Sequence, residues 1–144
     1  IKLINLGIVN SPNGVNLNFN TSAGTLWGNG INFANNQLNP NSVSISASTP
    51  TTFQYQTQTG TTTGVNITSI DPANYDLNGV LTAIPGGSNT STNQRVYIFP
   101  TGVIRIQYGQ NFYSSLTNAI TEIQSETFVV NTNNNETGTL IGII

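Results

Sequence analysis

Five carboxylates, three basic side chains and a dense supply of amides and hydroxyls are the polar chemistry this 144-residue chain carries; cysteine, histidine and methionine are absent. Glu122 and Glu126 stand four residues apart, one helical turn, where one acid could give up a proton while the other stays ionised. Like charges at that spacing repel mildly, so the pair reads instead as hydrated groups on the solvent side of a helix. Asp71 and Asp76 share a loop and could offer oxygens to calcium, but that ion takes about 6–8 oxygen ligands and no acidic ladder surrounds them. They read as turn-forming residues. The many serines and threonines lack a histidine or cysteine partner, which leaves Lys2, at the edge of the sequence, as the base for a nucleophile. Gly28-Asn29-Gly30 has no strand, GxxxxGK and helix around it, so it reads as a turn and not a phosphate cradle. The expectation is a non-enzymatic chain with no catalytic residues, no metal site and no cofactor.

A second chemistry needs no charge. Trp27, Tyr55 and Tyr75, with Tyr97, Tyr108 and Tyr113 elsewhere, could stack on sugar rings beside asparagine and glutamine donors. Trp27, Tyr55 and Tyr75 are the candidates for such a glycan platform, and core packing is the competing role for the same rings. Asn20-Thr21-Ser22, Asn66-Ile67-Thr68, Asn89-Thr90-Ser91 and Asn135-Glu136-Thr137 match the N-glycosylation acceptor pattern, which an Asn/Thr-rich chain also produces by chance.

Charged residues make up 6% of the chain, against about 25% in an ordinary soluble domain. Solubility must therefore come from a neutral, hydrogen-bonding surface. Lys2, Arg95 and Arg105 cannot make the basic footprint that phosphate neutralisation requires, so nucleic acid is not an expected partner. No apolar run approaches the ~20 residues needed to cross a bilayer, and membrane insertion is not expected. Weakly repelling Asn/Thr/Ser faces fit an extracellular or virion protein assembled side by side with copies of itself. The first residue, Ile1, and the strand-like Leu140–Ile144 read as the ends of a fragment of a longer chain.

The elements that would position these residues are mainly strands. Ile1–Val9 and the alternating Val15–Phe19 flank the turn cluster Asn10–Gly14 and predict a hairpin. Thr25–Phe33 reads as irregular connection, and Ser42–Ser48, Thr52–Thr59 and, after a Thr61–Gly64 turn, Val65–Ile70 as strands. Pro72 makes Asp71–Asp76 a loop before a strand over Val80–Ile84. Gln94–Phe99 and Val103–Tyr108 around Pro100-Thr101-Gly102 form the clearest hairpin. Leu116, Ala119, Ile120 and Ile123 fall at helical spacing and predict one short amphipathic helix within Ser114–Gln124, capped by Ser114 or Ser115. Thr127–Val130 and Thr139–Ile144 read as strands around the loop Asn131–Gly138. The fold class is mainly β, of antiparallel hairpins in a sandwich-like arrangement, with an α+β C-terminal half. A boundary at the polar stretch Ser88–Asn93 divides an Asn/Thr/Gln-rich β segment, 1–88, from a hairpin–helix–β module, 89–144, that continues beyond the last residue.

Within that second half, the stretch from Arg95 to Val130, with its Tyr108-Gly109-Gln110 turn and the helical Leu116–Ile123, followed by "NETGTLIGII", resembles modules of tailed-phage fibre proteins. The preceding segment from Leu26 to Gly60 is similar to what stands before that unit in such fibres. The resemblance implies a homotrimeric, β-rich structural module of a tail fibre or related virion appendage, in contact with other virion proteins and supporting host attachment. The alternatives are a module that binds a host surface glycan or receptor itself, and a bacterial adhesin or capsid-decorating protein.

Overall fold

In a computed structural model the chain is described from residue 3 to residue 144, so Ile1 and Lys2, with the start of the expected first strand, lie outside the described residues. The elements are, in order, β1 (Ile4–Leu6), β2 (Asn10–Pro12), β3 (Phe19–Thr21), β4 (Gly24–Trp27), β5 (Ser42–Ile45), β6 (Phe53–Gln56), β7 (Thr62–Ile67), β8 (Asn74–Leu77) and β9 (Val80–Ala83). Then come β10 (Ser91–Thr92), β11 (Arg95–Ile98), β12 (Ile104–Gln107), β13 (Phe112–Tyr113), α1 (Leu116–Glu122), α2 (Thr132–Glu136) and β14 (Thr139–Ile143). The protein is mainly β, with 37% of residues in strands and 8% in helices, and no barrel closes.

A five-stranded sheet in the order β14-β11-β12-β6-β7 organises the molecule. Side chains alternate across a strand, and the registers Val96↔Ile106, Ile98↔Ile104, Ile104↔Phe53 and Ile106↔Tyr55 put six apolar residues on one face. Ile8, Phe19, Leu26 and Tyr108 join them in the core, with Phe19 and Phe53 stacked at 5.5 Å between ring centroids. The same registers put Arg95, Gln107 and Gln56 in one row on the opposite face, and Tyr97, Arg105 and Gln54 in the next. That second face carries the polar rows, and the segment after α1 lies over the row of Arg95, Gln107 and Gln56. Strands β6 and β12 run parallel although they come from opposite sides of Ser88–Asn93. The segments 1–88 and 89–144 therefore contribute to one sheet and one core.

The hairpin β11–β12 forms as expected, turned by Gly102 at φ 83°. Ser115 caps α1 by accepting from the Asn118 backbone N–H, but Ala119 is the one buried residue of the helix, and Leu116 and Ile120 face outward. Several other elements differ from expectation. Gly7, at φ 88°, breaks the first run: β1 pairs with β4, while β2 pairs with β3. Residues 13–18 become the connecting loop, leaving Val15 fully exposed despite its alternating neighbours. The expected irregular stretch contains β4, the middle strand of β1-β4-β5, because Gly24 lets the Leu6 and Ile8 backbones approach where a Cβ would lie 2.8 Å from the Leu6 carbonyl oxygen. The turn after β6 spans Thr57–Thr61 and not Thr61–Gly64, closed by Gly60 donating to the Thr57 carbonyl. Asn74–Leu77, expected as loop, pairs with β9 across Asn78-Gly79, both at positive φ, the geometry an Asn-Gly hairpin turn requires.

Two further differences shape the polar face of the sheet. Thr127–Val130 forms no strand, because its backbone bonds to side-chain amides: the Val129 N–H donates to Gln110 Oε1 at 2.8 Å, and the Val129 carbonyl accepts from Gln107 and Gln110. The expected loop Asn131–Gly138 contains α2, whose cap is Asn131, accepting from the Asn134 N–H at 2.9 Å.

Candidate functional site

The five carboxylates are dispersed. Asp71 closes its own turn by accepting from the Ala73 N–H and the Asn74 amide. Asp76 is buried and holds the β8–β9 turn through the Gly79 N–H, while binding the Gln58 backbone and side chain. Glu122 accepts from Ser125 at the end of α1. Glu126 departs most from expectation: it lies past the helix, not on its solvent side, where it accepts from Arg95 at 2.8 Å and from the Tyr113 hydroxyl, with only 3% of its side chain exposed. Arg95 in turn lies 3.7 Å over the Phe128 ring. Glu136 also has a partner. No group of three metal-ligating side chains occurs among the described residues. Asp71, Asp76, Glu122 and Glu126 each hold a turn, a helix end or a buried arginine.

The aromatic candidates separate as well. Tyr55 is 1% exposed and Tyr75 is buried, so neither can meet a sugar ring; Tyr55 stacks on Tyr108 at 4.3 Å and Tyr75 meets Phe112 edge-on. Of the three, only Trp27, 42% exposed on β4, keeps an open ring. The platform read from residue type is thus two core residues and one surface residue. What Tyr55 does instead is anchor a polar cluster: its hydroxyl donates to Gln94 Oε1 at 2.7 Å and accepts from the Asp71 N–H at 2.8 Å. Gln94 donates back to the Asp71 carbonyl, and the Tyr108 hydroxyl donates to the Asp71 carboxylate at 3.0 Å.

On the polar face of the sheet a second cluster ties the late segment down. Gln107 Oε1 accepts from the Asn131 N–H and the Asn134 amide, both at 3.1 Å, and the Asn131 amide donates to Gln56 and to the Thr57 carbonyl. Gln56, Gln107, Asn131 and Asn134 are all buried. Sequence reasoning missed this cluster because one buried amide looks like any other in an Asn/Gln-rich chain; the only local signal is the Asn131 cap.

Burial, and then the negative charge of Asp71, pushes the Tyr108 phenol up to about 12, and burial also raises Tyr55, Tyr97 and Tyr113. In the unfolded chain these phenols ionise near pH 10. A proton held more tightly in the folded state costs no stability below that value and removes stability as pH rises from about 10 to 12. The unfolding free energy attributable to these groups is therefore expected to stay level up to about pH 9 and to fall through that alkaline window. The phenolate absorbance of these four tyrosines should rise late and together with unfolding; their early, stepwise ionisation in a folded protein would contradict it.

The remaining surface is apolar in unusual places. A cavity of about 460 Å³ runs between β2 and β14, lined by Val9, Pro12, Phe19, Ile70, Ile141 and Ile143 among others. Beside it, β14 is an outer strand of the five-stranded sheet, and β7 is the other. Neither strand contains a charged residue or a proline. No helix among the described residues is long and apolar enough to cross a membrane. Compared with known proteins, the chain matches no family model, no curated protein and no solved structure.

Proposed function

We propose that this chain is a structural module of a tailed-phage fibre or related virion appendage, assembling as a homotrimer alongside other virion proteins and supporting host attachment. The observation that carries the reading is the pair of uncharged outer strands on a surface rich in exposed aliphatic groups. Folded monomers blunt such edges with lysine, proline or bulges, since unpaired N–H and C=O groups recruit other strands. Here β7 and β14 each join their neighbour through a register shift but carry neither charge nor proline, and Val65 and Leu140 on them are about half exposed. The accessible surface, 7883 Å², exceeds by about a tenth the ~7,100 Å² expected of a compact monomer of 15.3 kDa. A chain with eight charged residues, of which Asp76 and Arg95 are buried and Glu126 nearly so, lets identical copies approach with little repulsion. The sequence resemblance to fibre modules supplies the biological setting, and the mechanism it implies is mechanical: rigid packing that carries a neighbouring host-binding region.

Lysine placed on the outer strands tests this. Val65→Lys and Leu140→Lys put a charge on each edge at positions already exposed, so the fold of each chain should survive. Sedimentation should show the assembled state lost or weakened by at least tenfold in at least one variant. Unchanged assembly in both would rule out the edges as the contact surfaces.

A further inference from the structure

The two arginines of this chain sit on the same face of the same sheet and differ in one respect. Arg95 is a completed site: Phe128 lies under its guanidinium at 3.7 Å and the Glu126 carboxylate stands against it at 2.8 Å. Arg105, on β12, has the ring but not the acid. Its Cζ lies 4.3 Å over the Phe99 ring, its Nε is buried without a hydrogen-bond partner, and the ion pair at Arg95 has no counterpart at Arg105 among the described residues. Buried N–H donors are almost always satisfied, so the Arg105 Nε–H calls for an explanation. Beside Arg105 lies a cavity of about 410 Å³, bounded by Phe99, Thr101, Val103, Asn133 and Thr137. That volume falls in the range of small-molecule sites, roughly 300–1,000 Å³.

We infer that this cavity, between the β11–β12 turn and α2, is a binding site for a carboxylate carried on a hydroxyl-rich molecule, an acidic sugar, with Arg105 as its anchor. The guanidinium fork matches a carboxylate in two parallel hydrogen bonds, and Phe99 fixes its plane as Phe128 fixes that of Arg95. The Thr101 and Thr137 hydroxyls and the Asn133 amide suit sugar hydroxyls, which both donate and accept. Val103 and Pro100 offer apolar surface for the C–H face of a ring. The site lies within one chain and does not depend on the virion reading.

Nitrogen-15 NMR of the full chain, titrated separately with glucuronate, acetate and glucose, tests the inference. Only two arginine Nε–H signals exist, and Arg105→Lys assigns them. Glucuronate is expected to move the Arg105 signal saturably with a midpoint on the order of 1 mM, leaving Arg95 still and glucose without effect. Arg105→Lys, which keeps the charge but not the fork, should weaken glucuronate binding about tenfold, read from the neighbouring amides. An Arg105 signal that never moves overturns the site. Acetate acting with the same midpoint as glucuronate overturns the sugar, leaving a simple carboxylate pocket such as a peptide side chain would use. Both arginines drifting together without saturation overturns it as ionic screening.

Discussion

Glu126→Ala is expected to destabilise the protein by about 3–5 kcal/mol, because it strands a buried guanidinium without its counter-charge. The side chains of Arg95 and Glu126 are 10% and 3% exposed, the bond is 2.8 Å, and Tyr113 is held by the same carboxylate. For a domain of this length each kcal/mol moves the thermal midpoint by about 3–5 °C, so a loss on the order of 10 °C or more should be seen by calorimetry. Replacing both partners by apolar residues, Arg95→Met with Glu126→Leu, should cost far less than either single truncation, since no charge is left buried. The site joins β11 to the segment after α1, so its loss should also free Phe128 and the chain leading to α2. A Glu126→Ala variant that melts with the wild type would show that water already compensates Arg95.

Gly109→Ala is the second large effect, a cost of at least about 2 kcal/mol from overpacking. A Cβ there would lie 2.0 Å from Thr92 Oγ1 and 2.6 Å from the Asn93 carbonyl oxygen, and backbone cannot swing aside as a side-chain tip can. The Tyr108-Gly109-Gln110 turn therefore needs glycine for the close passage of the 92–93 strand end, not for a left-handed φ. Gly87→Ala is the control: open space surrounds that position, and stability should change by less than about 1 kcal/mol. Chemical denaturation of the two variants side by side separates the prediction from a general intolerance of glycine replacement.

These two sites show which parts of the fold could be read from residues alone. The hairpin β11–β12 and the helix α1 follow from local patterns, alternation around Pro100-Thr101-Gly102 and a serine cap before helical spacing. The first hairpin failed because Val15 and Leu17 alternate without any strand to pair with, and period alone does not supply a partner. The β8–β9 hairpin was hidden by weight given to Pro72, although Asn78-Gly79 is the stronger local signal. Thr127–Val130 has a strand's composition, but its backbone bonds to Gln107 and Gln110 side chains, a choice made by residues about 20 positions away. The same distance limit governs the sites. Tyr55 and Tyr75 carry the right rings for sugar stacking, and only tertiary packing puts them inside. Arg105 and Arg95 look alike in sequence; the Glu126 that separates them comes from beyond α1.

Light scattering of the unmodified chain across a range of concentrations tests the central claim, assembly of identical copies through uncharged edges. A constant mass of three chains, about 46 kDa from 15.3 kDa each, is the predicted result. A constant mass of one chain, with Val65 and Leu140 exposed to water at every concentration, would contradict it.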